Sequence, residues 1–257
     1  MPADLVPDDL WERIAPLLPP RPPRRHRYPG RRPISDRAAL AGIVHVPRTG
    51  VSRRDVPARM VGCSEVTAWP RLHEALPTEL RTAGEPEMDD RAVDGSHVRA
   101  VKGGPHVGPS PVDRGRPGSK HHVVVDACGT PPAASLTGGN RHDVTQRLPL
   151  LGAIPRLRGL RGRPRHRPKR PYADRGYDHI TYRRLLWQRG IRPVIARRGA
   201  PHGSGLGRTR WVVERTFARL HRFTRLRIRY ERRADLHQSL LELACANICL
   251  RRLRRSF

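Results

Sequence analysis

The chain is 257 residues long, enough for one large or two small domains that bury about three quarters of the unfolded surface. Lys and Arg number 51 against 23 Asp and Glu, a formal net charge of +28, which points to a polyanionic partner, nucleic acid first. No apolar run approaches the ~20 residues of a membrane helix, and the opening "MPADLVPDDLWERIAPLLPP" carries acids where a signal peptide carries positive charge. A cytoplasmic, nucleoid-associated protein with no membrane partner is therefore expected.

Lysine contributes only Lys102, Lys120 and Lys169, so the basic charge is nearly all arginine. Arginine's planar fork suits phosphate and guanine, although codon bias in a GC-rich genome gives the same excess. Cys63, Cys128, Cys245 and Cys249 form no CxxC pair and read as buried thiols rather than a zinc site or a disulfide framework.

Residues 5–18 place Leu10, Trp11, Ile14, Leu17 and Leu18 on one helical stripe closed by Pro19 and Pro20. A second helix starts with Ser35 as N-cap and stops at Pro47. Two short helical pieces follow, started by Ser52-x-x-Asp55 and Ser64 and parted by Gly62. Short helices at glycine turns in basic surroundings fit a helix-turn-helix, and equally a small bundle with no DNA role. Residues 1–88 are thus expected to form a helical DNA-binding domain.

From residue 89 the pattern changes. "RAVDGSHVRAV", "KHHVVVDACGT" and "PPAASLTGG" read as three neighbouring strands. "VTQRLPLLGAI" fits a helix interrupted by Pro149, and "RLRGLRGRPRHRPKRP" a solvated loop. Next come a strand "PYAD", a helix "DHITYRRLLWQRG" capped by Asp178 and Gly190, and a strand "IRPVIARR". The glycine loop "PHGSGLG" leads into a long arginine helix, and "DLHQSLLELACANICLRRL" closes the chain as a packed helix. Residues 89–257 are expected to form an α/β domain, a sheet flanked by helices.

In so basic a chain most acids belong in surface ion pairs, and three stand apart. Asp94 lies on the first sheet strand, Asp174 ends a later strand, and Glu214 sits on the helix after the glycine loop. Each has a structural reading: Asp94-Gly95 as a hairpin turn, Asp174-Arg175-Gly176 as a turn, Glu214 paired with Arg210 one helical turn earlier. Ligand sites in α/β sheets gather at strand ends, however, and clustered carboxylates need a cation. Oxygen ligands suit Mg²⁺ or Mn²⁺, and two such ions about 3.5 to 4 Å apart serve phosphodiester displacement. Spacing alone does not prefer these three acids to Asp126 or Asp143. "GSGLGR" lacks the spacing of a nucleotide loop, and its glycines either approach a DNA phosphate or serve as a linker. His97, His106, His121 and His122 show no zinc spacing.

The blocks "AVDGSHVRAVKGG", "GPSPVDRGRPGSKHHVVVDACGTP", "LTGGNRHDV", "YADRGYD", "GSGLGRTRWVVERTF" and "RLRIRYERRAD" resemble, in order, bacterial insertion-sequence transposases of the DDE type in the IS4/5 grouping. The resemblance covers nearly the whole chain and implies an RNase H-like mixed sheet with Asp94, Asp174 and Glu214 as the metal-binding triad. It further implies two Mg²⁺ or Mn²⁺ ions, double-stranded DNA at terminal inverted repeats and at the target, and a homo-oligomer that pairs two element ends. Arg210 matches the arginine of the family signature; Gly207 and His221 stand where that signature has tyrosine and lysine. Arg208, Arg215, Lys120, Lys102 and Arg175 join Arg210 as expected DNA contacts. Between Trp69 and Pro70 the sequence lacks a segment that continues the helix-turn-helix in the family, and Pro47 and Arg53 replace an apolar and an aromatic residue. A decayed copy with weakened end recognition is expected. A non-catalytic DNA-binding regulator and an RNA-binding protein remain the alternatives.

Overall fold

The β-branched runs form the strands expected of them. A computed structural model describes residues 6–17, 35–38, 40–41, 89–155, 167–199 and 206–253. Its central strand, β1, runs unbroken from Asp90 to Ala100, so Asp94-Gly95 lies within a strand and is no hairpin turn. After the two-residue β2 (Gly108–Pro109), β3 (Pro117–Asp126) pairs antiparallel with β1, Asp94 opposite Val123. Strand β4 (Ala133–Gly138) pairs antiparallel with β3. The chain then crosses back, and β5 (Arg170–Ala173) joins β1 in parallel, followed by β6 (Val194–Ile195) parallel to β5. Three antiparallel strands continued by two parallel ones make the RNase H-like mixed sheet that the sequence resemblance implies. A short β7 (Ile228–Arg229) completes it against the far end of β1.

Alternation along β1 and β3 sends side chains to two cores. Ala92 and Val123 face α4 (Gly207–Leu220) and α6 (Ala234–Leu253) in one cluster, with Val212, Val213, Phe217, Leu241 and Cys245 buried there. Val93 and Val124 face α2 (Val144–Gly152) and α3 (Ile180–Trp187) in the other. Cys245 and Cys249 are buried free thiols, as expected, and Cys128 is half-buried.

Three boundaries differ from the sequence reading, and a fourth, the end of the arginine helix, is set by the structure alone. Pro149 lies inside α2 without ending it; the missing N–H removes a single helical bond, while Leu150 and Leu151 beyond it are buried in the core. Asp178 does not cap α3. His179 stands at the N-cap, and the Asp178 carboxylate instead accepts from Arg183 Nε at 2.7 Å and Arg198 N at 2.8 Å. The arginine helix stops at Leu220, because the next residues form a turn, the short α5 (Thr224–Arg227) and then β7. The first helix is shorter than its stripe, α1 (Asp8–Ile14) passing into a 3₁₀ turn over Ala15–Leu17.

Ser35 does act as an N-cap, its Oγ accepting from Ala38 N at 3.2 Å. Val6 and Leu40 are buried in the core shared with α4 and α6, and Arg37 ties the two stretches together through Val6 O at 2.8 Å and Asp8 at 2.5 Å. The rest of the N-terminal reading, including Pro47, Arg53, the Ser52 and Ser64 starts and the Trp69–Pro70 junction, lies outside the described residues, as do residues 156–166 and 200–205. Among the described residues no helix is long and apolar enough to cross a membrane.

Candidate active site

Strand β1 leaves one edge open at the centre of the sheet. Its ladder with β5 spans Asp90 to Ala92, and its ladder with β7 takes up only Arg99 and Ala100. Asp94 falls in the gap, where the strand order changes direction and α/β sheets place ligands. Asp174 immediately follows β5 and opens a 3₁₀ turn, Arg175–Tyr177. That turn folds under its carboxylate, since a side chain at Gly176 would bring a Cβ within 3.0 Å of Asp174 Oδ1.

The two carboxylates share a field. Burial foremost pushes Asp94 up to about 6, against the opposing pull of the Gly95 N–H and Arg210, and the charges of Asp174 and Asp143 raise it further. Gly95 N donates to Asp94 Oδ1 at 2.8 Å, and Arg210 Nη2 to Oδ2 at 3.1 Å. Among the described residues, Asp174 Oδ1 is buried and finds no hydrogen-bond partner. A buried carboxylate oxygen without such a donor, in the field of a second acid, is the kind of ligand a hard divalent cation fits.

Glu214 is not gathered with them. It lies on the exposed side of α4, one helical turn beyond Arg210, which pairs with Asp94 rather than with Glu214. Among the described residues, no three His, Cys, Asp or Glu side chains stand close enough to hold one ion. The geometry therefore unites Asp94 and Asp174, adds Asp143 to their field, and leaves Glu214 on the adjoining helix with Arg210 between.

The expected DNA contacts divide. Lys102 is exposed just past β1, and Arg175 follows Asp174 directly. The Arg208 side chain lies outside the description. Lys120 is buried rather than presented to DNA, because β3 carries it inward, where its ammonium donates to Asp143 Oδ1 at 3.0 Å and Arg141 O at 2.8 Å. Arg215 is likewise occupied, stacked 4.2 Å over the half-exposed Trp211 ring and donating to Cys128 O at 2.9 Å.

Both acids that spacing could not separate from the triad acquire roles. Asp143 packs against the bare backbone of Gly95, where a Cβ would stand 2.8 Å from its Oδ1. Asp126 is fully buried, and its Oδ1 accepts from Cys128 N at 2.8 Å and Thr130 N at 2.7 Å, closing the β3–β4 turn. The histidines serve the framework: His97 meets Ser110 Oγ at 3.0 Å, His106 Leu136 O at 2.8 Å, His121 His237 at 2.8 Å and His122 Thr137 Oγ1 at 2.8 Å. Burial pushes His122 down to about 4, which keeps it neutral beside Asp143. His221 ends α4 beside Phe217 and His121.

Residues 85–249 match the family of the transposase DDE domain, and residues 6–75 match the candidate transposases of the IS4/5 family (DUF4096). A Burkholderia cepacia protein described as a candidate transposase for insertion sequence element IS402 is 64% identical over 154 residues, 60% of this chain and 73% of that protein. An uncharacterized 16.2 kDa protein of insertion element IS402 from the same species is 46% identical over 120 residues, 42% of this chain and 81% of its own length. Among solved structures, a piggyBac transposase synaptic complex with hairpin DNA aligns with 87% of this chain and 67% of its own at 13% identity and a TM-score of 0.40.

Proposed function

The chain belongs to the DDE transposases of IS4/5 insertion sequences, and on that premise we propose that Asp94, Asp174 and Glu214 are the acids that hold its metal ions. Asp94 and Asp174 contribute oxygens from the open edge of β1 and the end of β5, and Glu214 contributes a third from α4. The observation that carries the reading is the pair of carboxylates at the open edge of β1 and the end of β5, one raised to about 6 and the other with a buried oxygen that finds no donor among the described residues. Two Mg²⁺ or Mn²⁺ ions bound there would activate a water or a 3′-hydroxyl and stabilise the leaving oxygen. Arg210 neutralises Asp94 from α4 and moves to a DNA phosphate when a cation takes its place. Lys102, Arg175 and Arg208 hold the backbone of double-stranded DNA at the element ends and at the target. Two copies of the chain pair the two ends. The shortened sequence after Trp69 weakens end recognition, which makes this a decayed copy that keeps the catalytic acids while its targeting is impaired.

The DDE-domain match favours the transposase over the non-catalytic regulator. A supercoiled plasmid bearing the DNA that flanks the gene supplies the test. With Mg²⁺ the purified protein nicks it, and Asp94→Asn, Asp174→Asn and Glu214→Gln each retain DNA binding and lose nicking. Unchanged nicking by any one variant removes that acid from the site.

A further inference from the structure

Helix α4 is tied to the sheet by polar contacts on both sides of Glu214. Ahead of it Arg210 pairs with Asp94 at 3.1 Å. Behind it the next two residues grip the β3–β4 turn: Arg215 Nη2 donates to Cys128 O at 2.9 Å, and Thr216 Oγ1 donates to Gly129 O at 3.0 Å. Thr216 is fully buried, and its single hydroxyl proton lies between Gly129 O and Val212 O, the latter at 2.9 Å. The turn is itself built for this approach. Gly129 has φ +81°, and a Cβ there would stand 3.0 Å from Thr216 Oγ1. Asp126 locks the turn from inside through Cys128 N and Thr130 N, with Arg91 Nη1 at 4.0 Å from its other oxygen.

At about 100° per residue, Thr216 and Glu214 point to opposite sides of α4. Seating Thr216 against the turn therefore fixes the roll of the helix, and the roll fixes where the Glu214 carboxylate stands. A group about 6 Å from a helix axis moves by about 2 Å when the helix rolls by about 20°, several times the ~0.5 Å tolerance of a metal or catalytic constellation. We infer that the Asp126-closed turn and Thr216 form a latch that keeps Glu214 on the face of α4 it shares with Arg210, which reaches Asp94, so that the carboxylate is presented to metal held by Asp94 and Asp174, with Thr216 the positioning residue. The inference rests on the assignment of Glu214 as a metal-holding acid.

Mn²⁺ binding, read by electron paramagnetic resonance on the full chain bound to a 30-base-pair duplex with the DNA background subtracted, separates the two. Glu214→Gln loses the specific sites. Thr216→Val, which keeps the shape and removes the hydroxyl, weakens Mn²⁺ at least about tenfold and slows nicking in proportion. Thr216→Ser restores both, an outcome a merely structural hydroxyl does not give at temperatures where every variant is folded. Gly129→Ala, which presses on Thr216 from the turn, gives the same loss should the valine variant fold poorly. Wild-type Mn²⁺ affinity in folded Thr216→Val and Gly129→Ala, with Glu214→Gln impaired, overturns the latch alone. Wild-type affinity in Glu214→Gln overturns the assignment of Glu214 and the latch with it.

Discussion

Asp94 costs the fold stability, and replacing it should raise the melting temperature while abolishing cleavage. Its carboxyl rises from an ordinary value of 3.8 to about 6 because burial outweighs the Gly95 N–H and Arg210. At about 1.4 kcal/mol per tenfold change, the ionised form at pH 7 carries a penalty of roughly 3 kcal/mol relative to the protonated one. The side chain is only 20% exposed, so solvent screening discounts little of this. Asp94→Asn removes the charge and keeps an acceptor for Arg210, for a net gain of about 1 to 3 kcal/mol. In a chain of this size that is roughly 3 to 10 °C. The sign follows from proton binding. Between pH 3.8 and about 6 the folded state holds the proton more tightly than the unfolded chain, so wild-type stability falls as pH rises through that window. The assay is thermal melting of both proteins in EDTA from pH 4 to 7. The variant should melt higher at pH 7, and the gap should close as pH falls below 6. A variant that melts at or below wild type at pH 7, or a gap indifferent to pH, refutes the claim that Asp94 is held charged against its environment.

Gly95→Ala would place a Cβ 2.8 Å from Asp143 Oδ1, so it should loosen the Lys120–Asp143 pair and cost about 1 to 3 kcal/mol, measured by urea unfolding. Burial acts to raise Glu231, but hydrogen bonds and charge from His237 and Arg225 hold it down at about 2, below an ordinary 4.5. Its stabilisation is therefore full above pH 4.5 and lost as pH falls toward 2. Glu231→Gln should melt lower than wild type at pH 7, with the difference shrinking on acidification. Lys102→Ala should reduce the salt slope of DNA binding by about one without altering melting. Lys120→Met, which removes the buried ammonium and leaves the partly buried Asp143 Oδ1 without that partner, should lower the melting temperature and leave that slope unchanged.

Local pattern announces this sheet plainly. The alternating and β-branched residues of β1 and β3 identify strands without reference to anything distant, and the family blocks tie Asp94, Asp174 and Glu214 together. Contacts made far along the chain are not legible in that way. Gly95 reads as a turn residue because its bareness serves Asp143, which arrives only after β3 and β4 have folded back. Lys120 reads as a DNA contact by charge, whereas its place on the buried face of β3 gives it to Asp143. Gly129 gives a faint signal, a glycine just after a strand, but its reason is Thr216 on a helix near the other end of the sequence. The end of the arginine helix at Leu220 is set by β7 pairing with β1, a non-local contact that helix propensity does not contain.

The convergence of Asp94, Asp174 and Glu214 on metal is tested most directly by crystals of the protein with duplex DNA and Mn²⁺, read in the anomalous difference map. The expected result is density in the cleft between β1 and β5, with oxygens of all three acids at about 2.0 to 2.2 Å from the ions and Arg210 withdrawn to a phosphate. Ions held by Asp94, Asp174 and Asp143 with Glu214 still facing solvent, or ions lying outside that cleft, would contradict it.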